Sequence, residues 1–148
     1  CGIDSNRLIF AVRTPDPSQH LSRLRQADLF LDTLPYNAHA TATDALWAGI
    51  PLLTCVGKSF PARVAASLLT SMGLPELITD SPEAYEARAV ELALYPEQLS
   101  AIRNKLAIQK VHSSLFDAAD SAQKLECAYS AAWERYDNGL QPDYIDLT

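Results

Sequence analysis

Three polar side chains stand close together where an apolar run gives way to a predicted helix. His39 and Thr41 lie at the expected helix start, and Asp44 follows Thr41 by three residues, which places both on one helix face. A helix N-terminus carries unpaired backbone N–H groups and the positive end of the helix dipole, so it attracts anions. This spacing predicts a phosphate or diphosphate at the helix start, with Asp44 one turn away to accept hydrogen bonds from ribose hydroxyls.

The neighbours of His39 are small. Ala38 and Ala40 would let a phosphate approach the backbone, the Thr41 hydroxyl adds a donor, and the His39 ring can donate to a diphosphate oxygen. The same residues also fit a capped helix with a structural histidine and a solvated carboxylate, because polar clusters at helix starts are common. The residues alone leave both interpretations open.

His20 and Arg23 form a second polar pair on an earlier predicted helix, three residues apart and therefore on one face. In open α/β sheets, ligands bind at the loops beyond the carboxyl ends of the strands. One such loop follows Val12 and leads to this pair, and another follows Asp32. The pair fits contact with a base edge or a phosphate, and it also fits a solvated polar face.

Other reaction motifs are absent from the sequence. Gly57-Lys58-Ser59 looks like the end of a phosphate-binding loop, but the position five residues before Gly57 is Leu52 instead of glycine. We interpret Gly57 as a turn residue with Lys58 exposed. No nucleophile elbow, zinc-binding His pair or pair of catalytic carboxylates emerges, so we assign no metal site and no catalytic residue.

Short apolar runs alternate with helical patterns along the chain. We predict strands at 7–12, 29–31, 50–55 and 77–79, and helices that start at 18, 82 and 96 or cover 39–48, 61–72 and 120–138. This alternation predicts an α/β fold with a parallel sheet and helices on both faces. The late run of helices should form a C-terminal extension packed on the sheet, and the last helix should bury its apolar stripe, which includes Leu125, Tyr129, Trp133 and Tyr136. Trp47 is also expected in the core.

Composition limits the class of protein. The chain of 148 residues has a net charge of −6, which argues against nucleic-acid binding, and no apolar run is long enough to cross a membrane. Three widely spaced cysteines, Cys1, Cys55 and Cys127, do not form a disulfide or zinc pattern. We expect Cys55 and Cys127 to be buried and the protein to work in the cytoplasm, where thiols stay reduced.

A longer motif identifies a family. The sequence reads Ala27-Asp28-Leu29-Phe30-Leu31-Asp32-Thr33 and then Tyr36-Asn37-Ala38-His39-Ala40-Thr41-Ala42-Thr43-Asp44-Ala45-Leu46-Trp47-Ala48-Gly49-Ile50-Pro51. This stretch resembles the donor-binding region of the O-linked N-acetylglucosamine transferase family, including its bacterial and SPINDLY-like members. The resemblance continues through 63–67, 73–78 and 113–117 to Trp133-Glu134-Arg135-Tyr136.

The resemblance implies a fold and residue roles. The family has the GT-B fold, in which two Rossmann-like domains face a cleft and the donor sits mainly on the C-terminal one. It implies that His39, Ala40 and Thr41 contact the diphosphate, with Ala40 using its backbone N–H where the family commonly has threonine. It also implies that Asp44 binds the ribose and that His20 and Arg23 lie near the uracil. Pro17 replaces a lysine often found in the family, which weakens the assignment of the donor.

The family also sets expectations about the rest of the protein. We expect residues 1–80 to be a nucleotide-sugar-binding part that lacks its first elements, 81–140 to be C-terminal helices and 141–148 a tail. A donor-contacting Gln and a Lys that stabilises the leaving diphosphate, the N-terminal GT-B domain and tetratricopeptide repeats that hold acceptor proteins would lie outside this chain. The chain alone should therefore have little or no transferase activity.

The resemblance implies that the whole protein transfers N-acetylglucosamine from UDP-N-acetylglucosamine (UDP-GlcNAc) to Ser or Thr of an acceptor protein, with the nucleotide sugar as substrate and no cofactor. A non-catalytic module of the same fold, which senses nucleotides or binds partners, is the alternative favoured by Ala40 and Pro17. A third alternative keeps the enzyme and changes the donor sugar, as in relatives that use a fucosyl nucleotide.

Overall fold

A parallel sheet lies at the centre of the computed structural model, which describes residues 2–146. Its strands are β1 (Phe30–Leu31), β2 (Leu52–Cys55) and β3 (Ile78–Thr79), in the order β1-β2-β3. Every residue of β2 is buried, and successive side chains of a strand point to opposite faces, so both faces of the central strand are covered. The predicted α/β architecture with a parallel sheet is confirmed.

Six α-helices follow the predicted order. They are α1 (Pro17–Leu24), α2 (Ala40–Ala48), α3 (Val64–Ser71), α4 (Pro82–Leu94), α5 (Pro96–His112) and α6 (Ala118–Asp137). Short 3-10 helices lie at Ser5–Arg7, Phe60–Ala62, Pro75–Leu77 and Ser114–Phe116. α1 begins one residue earlier than predicted because the carboxylate of Asp16 accepts from Ser18 N at 2.9 Å and so caps the helix.

The main core lies between the sheet and four of these helices. Leu46 of α2, Leu69 of α3, Leu92 of α4 and Leu106 of α5 are all fully buried in one cluster with the β2 leucines. The sides of α4 and α5 that carry Leu92 and Leu106 therefore face the core. A second, smaller cluster joins α1 to α2 and is described with the site.

The strand predicted at 7–12 is wrong. Ser5–Arg7 form a 3-10 helix, no strand is assigned between 8 and 12, and the side chains of Ile9 and Phe10 are 88% and 90% exposed. The residue types are those of a strand, but a strand needs a neighbour to pair its backbone groups. No strand of the described part of the chain lies beside this segment.

The predicted packing of the C-terminal helices on the sheet is correct for α4 and wrong for α6 in residues 2–146. α6 contacts chiefly the 3-10 helix Ser114–Phe116, and Trp133 is 66% exposed. The rest of the predicted buried stripe, namely Leu125, Tyr129 and Tyr136, is exposed as well. The helical period was correct, but a period shows which face is apolar and does not show what covers it.

Two smaller predictions about the core also fail. Trp47 is 46% exposed, and its ring packs edge-on against Phe116 at 5.1 Å while the Lys110 ammonium lies 5.2 Å from the ring centroid. Cys127 is exposed on α6, whereas Cys55 is buried in β2 as predicted. Cys1 lies outside the described residues.

A buried carboxylate shapes the loop between β1 and α2. Asp32 is only 5% exposed, and its Oδ1 accepts from the backbone N–H groups of Thr33 at 2.8 Å and Ala38 at 2.7 Å. Its Oδ2 accepts from the Thr54 hydroxyl of β2 at 2.6 Å, and the Tyr85 hydroxyl of α4 donates to its backbone carbonyl at 2.9 Å. These bonds tie the loop to the sheet and to α4, and they fix the point at which α2 begins.

The loop after β2 is equally constrained. Gly57 N donates to Ala62 O at 2.8 Å, and a Cβ on Gly57 would lie 2.6 Å from the Cβ of Ala62. Pro61 O in turn accepts from Asn37 N at 3.0 Å, which joins this turn to the loop before α2. Gly57 is therefore a turn residue beside an exposed Lys58, as predicted, and the methyl group of Ala62 leaves no room for a side chain at position 57.

We expect Gly57→Ala to lower the free energy of unfolding by about 1–3 kcal/mol, because the added methyl group must displace Ala62. Urea unfolding of the purified protein measures this loss. In the double variant Gly57→Ala/Ala62→Gly the obstructing Cβ is removed, so the combined loss should be smaller than the sum of the two single losses. Strict additivity would show that the contact is not the cause.

Asp32→Ala should lower the free energy of unfolding by about 3 kcal/mol, because two backbone N–H groups and a buried hydroxyl lose their acceptor. Asp32→Asn is the matched control, since it keeps the shape and one acceptor oxygen and should lose less. The measurement is again urea unfolding. Equal losses for the two variants would contradict the role given to the carboxylate oxygens.

Candidate functional site

The start of α2 is open. His39 is the N-cap residue, with φ −107° and ψ −91°, and its side chain makes no capping hydrogen bond. Within residues 2–146, no protein group accepts a hydrogen bond from the backbone N–H of Ala40, Thr41 or Ala42, and the first helical bond runs from Thr43 N to His39 O at 3.1 Å. Three amide protons thus remain available at the positive end of a nine-residue helix.

Solvent reaches the two residues that begin the helix. Ala40 and Thr41 are exposed, and Asp44 is partly exposed one turn further along α2. Ala42, between them, is fully buried, which anchors the first turn in the core. The helix start therefore presents the Thr41 hydroxyl and its open amides to the outside while its opposite side is held by packing.

Aromatic rings hold His39. The Tyr36 ring stacks on the imidazole with centroids 5.1 Å apart, and the Phe60 ring approaches edge-on at 6.2 Å. The Nε2 atom of His39 is buried and has no hydrogen-bond partner among residues 2–146. A buried imidazole nitrogen without a partner is uncommon and requires an explanation, such as a partner supplied by a ligand.

The structure brings the two predicted clusters together. His20 Nε2 of α1 lies 3.4 Å from Asp44 Oδ2 of α2, and His20 Nδ1 lies 3.3 Å from Arg23 Nη2. The Nη1 atom of Arg23 donates to the backbone carbonyl of Val12 at 2.5 Å. His20, Arg23 and Asp44 therefore form one polar group, although the sequence separates them into two.

Apolar packing explains how the helices meet. Leu21 and Leu24 of α1 pack against a buried cluster of Ala45, Ala48 and Ile50 at the end of α2. His20 and Arg23 lie next to these leucines in the sequence, so burial of the leucines brings the two polar side chains of α1 to Asp44 of α2. Small alanines on α2 permit the close approach of the two helices.

Asp32 is a site-supporting residue that the sequence interpretation treats only as the end of a strand. The available signal was a carboxylate directly after a buried strand, at the edge where ligands bind in such sheets. Burial raises the pKa of the Tyr85 hydroxyl that donates to its carbonyl, with smaller contributions from the charges of Asp32 and Cys55. The phenol therefore stays protonated and keeps donating at neutral pH.

The described residues also form a surface groove, but they form neither a metal site nor a membrane-spanning helix. A groove of about 620 Å³ begins at Phe60, the ring that touches His39, and continues along α3 past Arg63 and Ser67. No group of three or more His, Cys, Asp or Glu side chains in the described residues is placed to hold a metal ion. Among those residues, no helix is both long and apolar enough to cross a membrane.

Comparison with known proteins identifies the chain. The profile of glycosyl transferase family 41 matches residues 1–125. A UDP-N-acetylglucosamine–peptide N-acetylglucosaminyltransferase of Caenorhabditis elegans is 33% identical over 144 residues, which are 97% of this chain and 12% of that protein. The probable transferase SEC of Arabidopsis thaliana is 36% identical over 147 residues, which are 99% of this chain and 15% of that protein.

A solved structure has the same fold as this chain. A mutant O-GlcNAc transferase of Thermobaculum terrenum superposes with a TM-score of 0.83 at 32% identity, over 89% of this chain and 25% of that one. The fold is therefore that of part of a GT-B glycosyltransferase, and the chain spans an eighth to a quarter of the lengths of these relatives. With the family profile matched over most of its residues, the chain belongs to glycosyl transferase family 41.

Proposed function

We propose that this chain is the donor-binding portion of a protein O-glycosyltransferase, which transfers N-acetylglucosamine from UDP-GlcNAc to Ser or Thr of an acceptor protein. The relatives named above are described as transferases of this kind. The observation that carries the proposal is the start of α2, where three backbone amides lack a protein acceptor and Asp44 stands one turn away.

The diphosphate of the donor binds at this helix start. The amides of Ala40 and Thr41 and the Thr41 hydroxyl donate to its oxygens, and His39 completes the group with a ring already fixed by Tyr36. When the sugar departs, negative charge builds up on UDP, and prearranged amide dipoles stabilise that charge. This use of backbone groups explains how Ala40 can serve at a position where relatives commonly have a hydroxyl.

The nucleoside lies toward α1. Asp44 accepts hydrogen bonds from the ribose hydroxyls, and the uracil lies near His20 and Arg23. Neither role requires a metal ion or a cofactor, since the helix start and its hydroxyl and imidazole donors meet the phosphate charge directly. A uracil nucleotide should therefore bind in preference to a guanine nucleotide, which competition between UDP and GDP would show.

The whole protein requires further parts. The acceptor protein, the N-terminal catalytic domain and the tetratricopeptide repeats are proposed partners or segments, supported by relatives that are seven to eight times longer than the region matched here. We also propose the cytoplasm as the compartment, which agrees with an exposed free thiol at Cys127.

Asp44→Asn should weaken UDP binding about fivefold to tenfold, because the amide cannot accept from both ribose hydroxyls with full strength. Isothermal titration of the full-length protein with UDP measures the change. Glu126→Gln, which neutralises an exposed carboxylate on α6, is the control and should bind UDP as the wild type does. Absence of UDP binding to the wild type would favour a non-catalytic module instead.

The 148-residue chain alone should form no glycosylated product from UDP-GlcNAc and an acceptor peptide, because one helix start supplies only part of the charge stabilisation that departing UDP needs. Mass spectrometry of the peptide after incubation measures this, with the full-length protein as the positive control. Product made by the chain alone would contradict the proposal that part of the site lies outside these 148 residues.

A further inference from the structure

Asp44 has a single polar partner in the described part of the protein. His20 Nε2 faces its Oδ2 across 3.4 Å, and no other protein group among residues 2–146 bonds to this carboxylate. The Asp44 side chain is 45% exposed, so it would otherwise rotate freely in solvent. The contact with His20 restricts that rotation and leaves Oδ1 without a protein donor.

The other side of the imidazole determines which nitrogen carries the proton. Arg23 Nη2 lies 3.3 Å from His20 Nδ1, and a guanidinium can only donate hydrogen bonds. Nδ1 must therefore present its lone pair to Arg23. In the neutral ring the proton then resides on Nε2, which is the nitrogen that faces the Asp44 carboxylate.

Arg23 is itself fixed at its far end. Its Nη1 donates to the carbonyl of Val12, so the guanidinium spans from the backbone of the loop before α1 to the imidazole. The resulting series runs from Val12 O through Arg23 and His20 to Asp44, with one hydrogen directed along each step. Each member orients the next, as outer partners orient the ligands of other polar sites.

We propose that Arg23 and His20 are positioning residues that hold the Asp44 carboxylate for the ribose hydroxyls of the nucleotide. This inference rests on the proposed function, in which Asp44 binds the ribose. It adds to the contact near the base that the family resemblance implies, and it makes a distinct prediction. Loss of His20 should weaken the binding of UDP more than the binding of a nucleotide without ribose hydroxyls.

The experiment compares UDP with 2′,3′-dideoxy-UDP by isothermal titration of the full-length protein. In His20→Ala the affinity for UDP should fall about fivefold more than the affinity for dideoxy-UDP, which loses only the contact near the base. Arg23→Met should show the same difference between the two ligands. His20→Gln should restore UDP affinity, because its amide can accept from Arg23 and donate to Asp44.

His112→Ala is the matched control, since His112 is an exposed histidine at the end of α5 and should change neither affinity. Equal losses for both ligands in His20→Ala would overturn the proposal and show that His20 acts on the base or phosphate alone. Failure of His20→Gln to restore binding would also overturn it. A wild type that does not bind UDP at all would instead refute the proposed function.

Discussion

The buried carboxylate of Asp32 holds the loop of residues 33–38, which connects the sheet to α2. This loop leaves the amides at the start of α2 open. The two carboxylate oxygens of Asp32 accept from the backbone N–H groups of Thr33 and Ala38 and from the Thr54 hydroxyl, so these donors are bonded without using the α2 terminus. A side-chain cap would occupy the same amides that a diphosphate needs. The start of α2 can thus bind an anion because the loop before it is stabilised by Asp32 and not by the amides of α2.

The same arrangement sets the roles of α1 and α2. Burial of Leu21 and Leu24 against the alanines of α2 brings His20 to Asp44 at one end of the site. The rings of Tyr36 and Phe60 hold His39 at the other end. Apolar packing therefore places His39 on one side of the open amides and His20 with Asp44 on the other. This order is that of the phosphate and the ribose in a nucleotide.

Local signals in the sequence predicted the elements well. α2 ends at Ala48 as predicted, and Gly49 after it has a φ of 85°, the left-handed conformation that favours glycine after a helix. α4 begins at Pro82 as predicted, and the side chain of Ser81 caps it. The contact of His20 with Asp44 and the bond of Thr54 to Asp32 were not predictable, because they join residues on different elements. The domain boundaries at 80 and 140 and the roles of the site residues stay predictions.

The failures have one physical origin. The segment 7–12 and the stripe of α6 both have the residue types of buried elements, yet Phe10 and Trp133 are exposed in residues 2–146. A sequence pattern indicates which face of an element is apolar. Burial of that face also requires another element to pack on it, and the pattern does not show whether one does. The motif around His39 is different, because its chemistry depends on backbone groups of one short segment.

A crystal structure of the full-length protein with bound UDP would show whether the diphosphate binds at the start of α2. We expect diphosphate oxygens within about 3.2 Å of the backbone nitrogens of Ala40 and Thr41, with the Asp44 carboxylate bonded to the ribose. A diphosphate bound elsewhere, or protein atoms seated on the amides at the start of α2, would contradict this expectation.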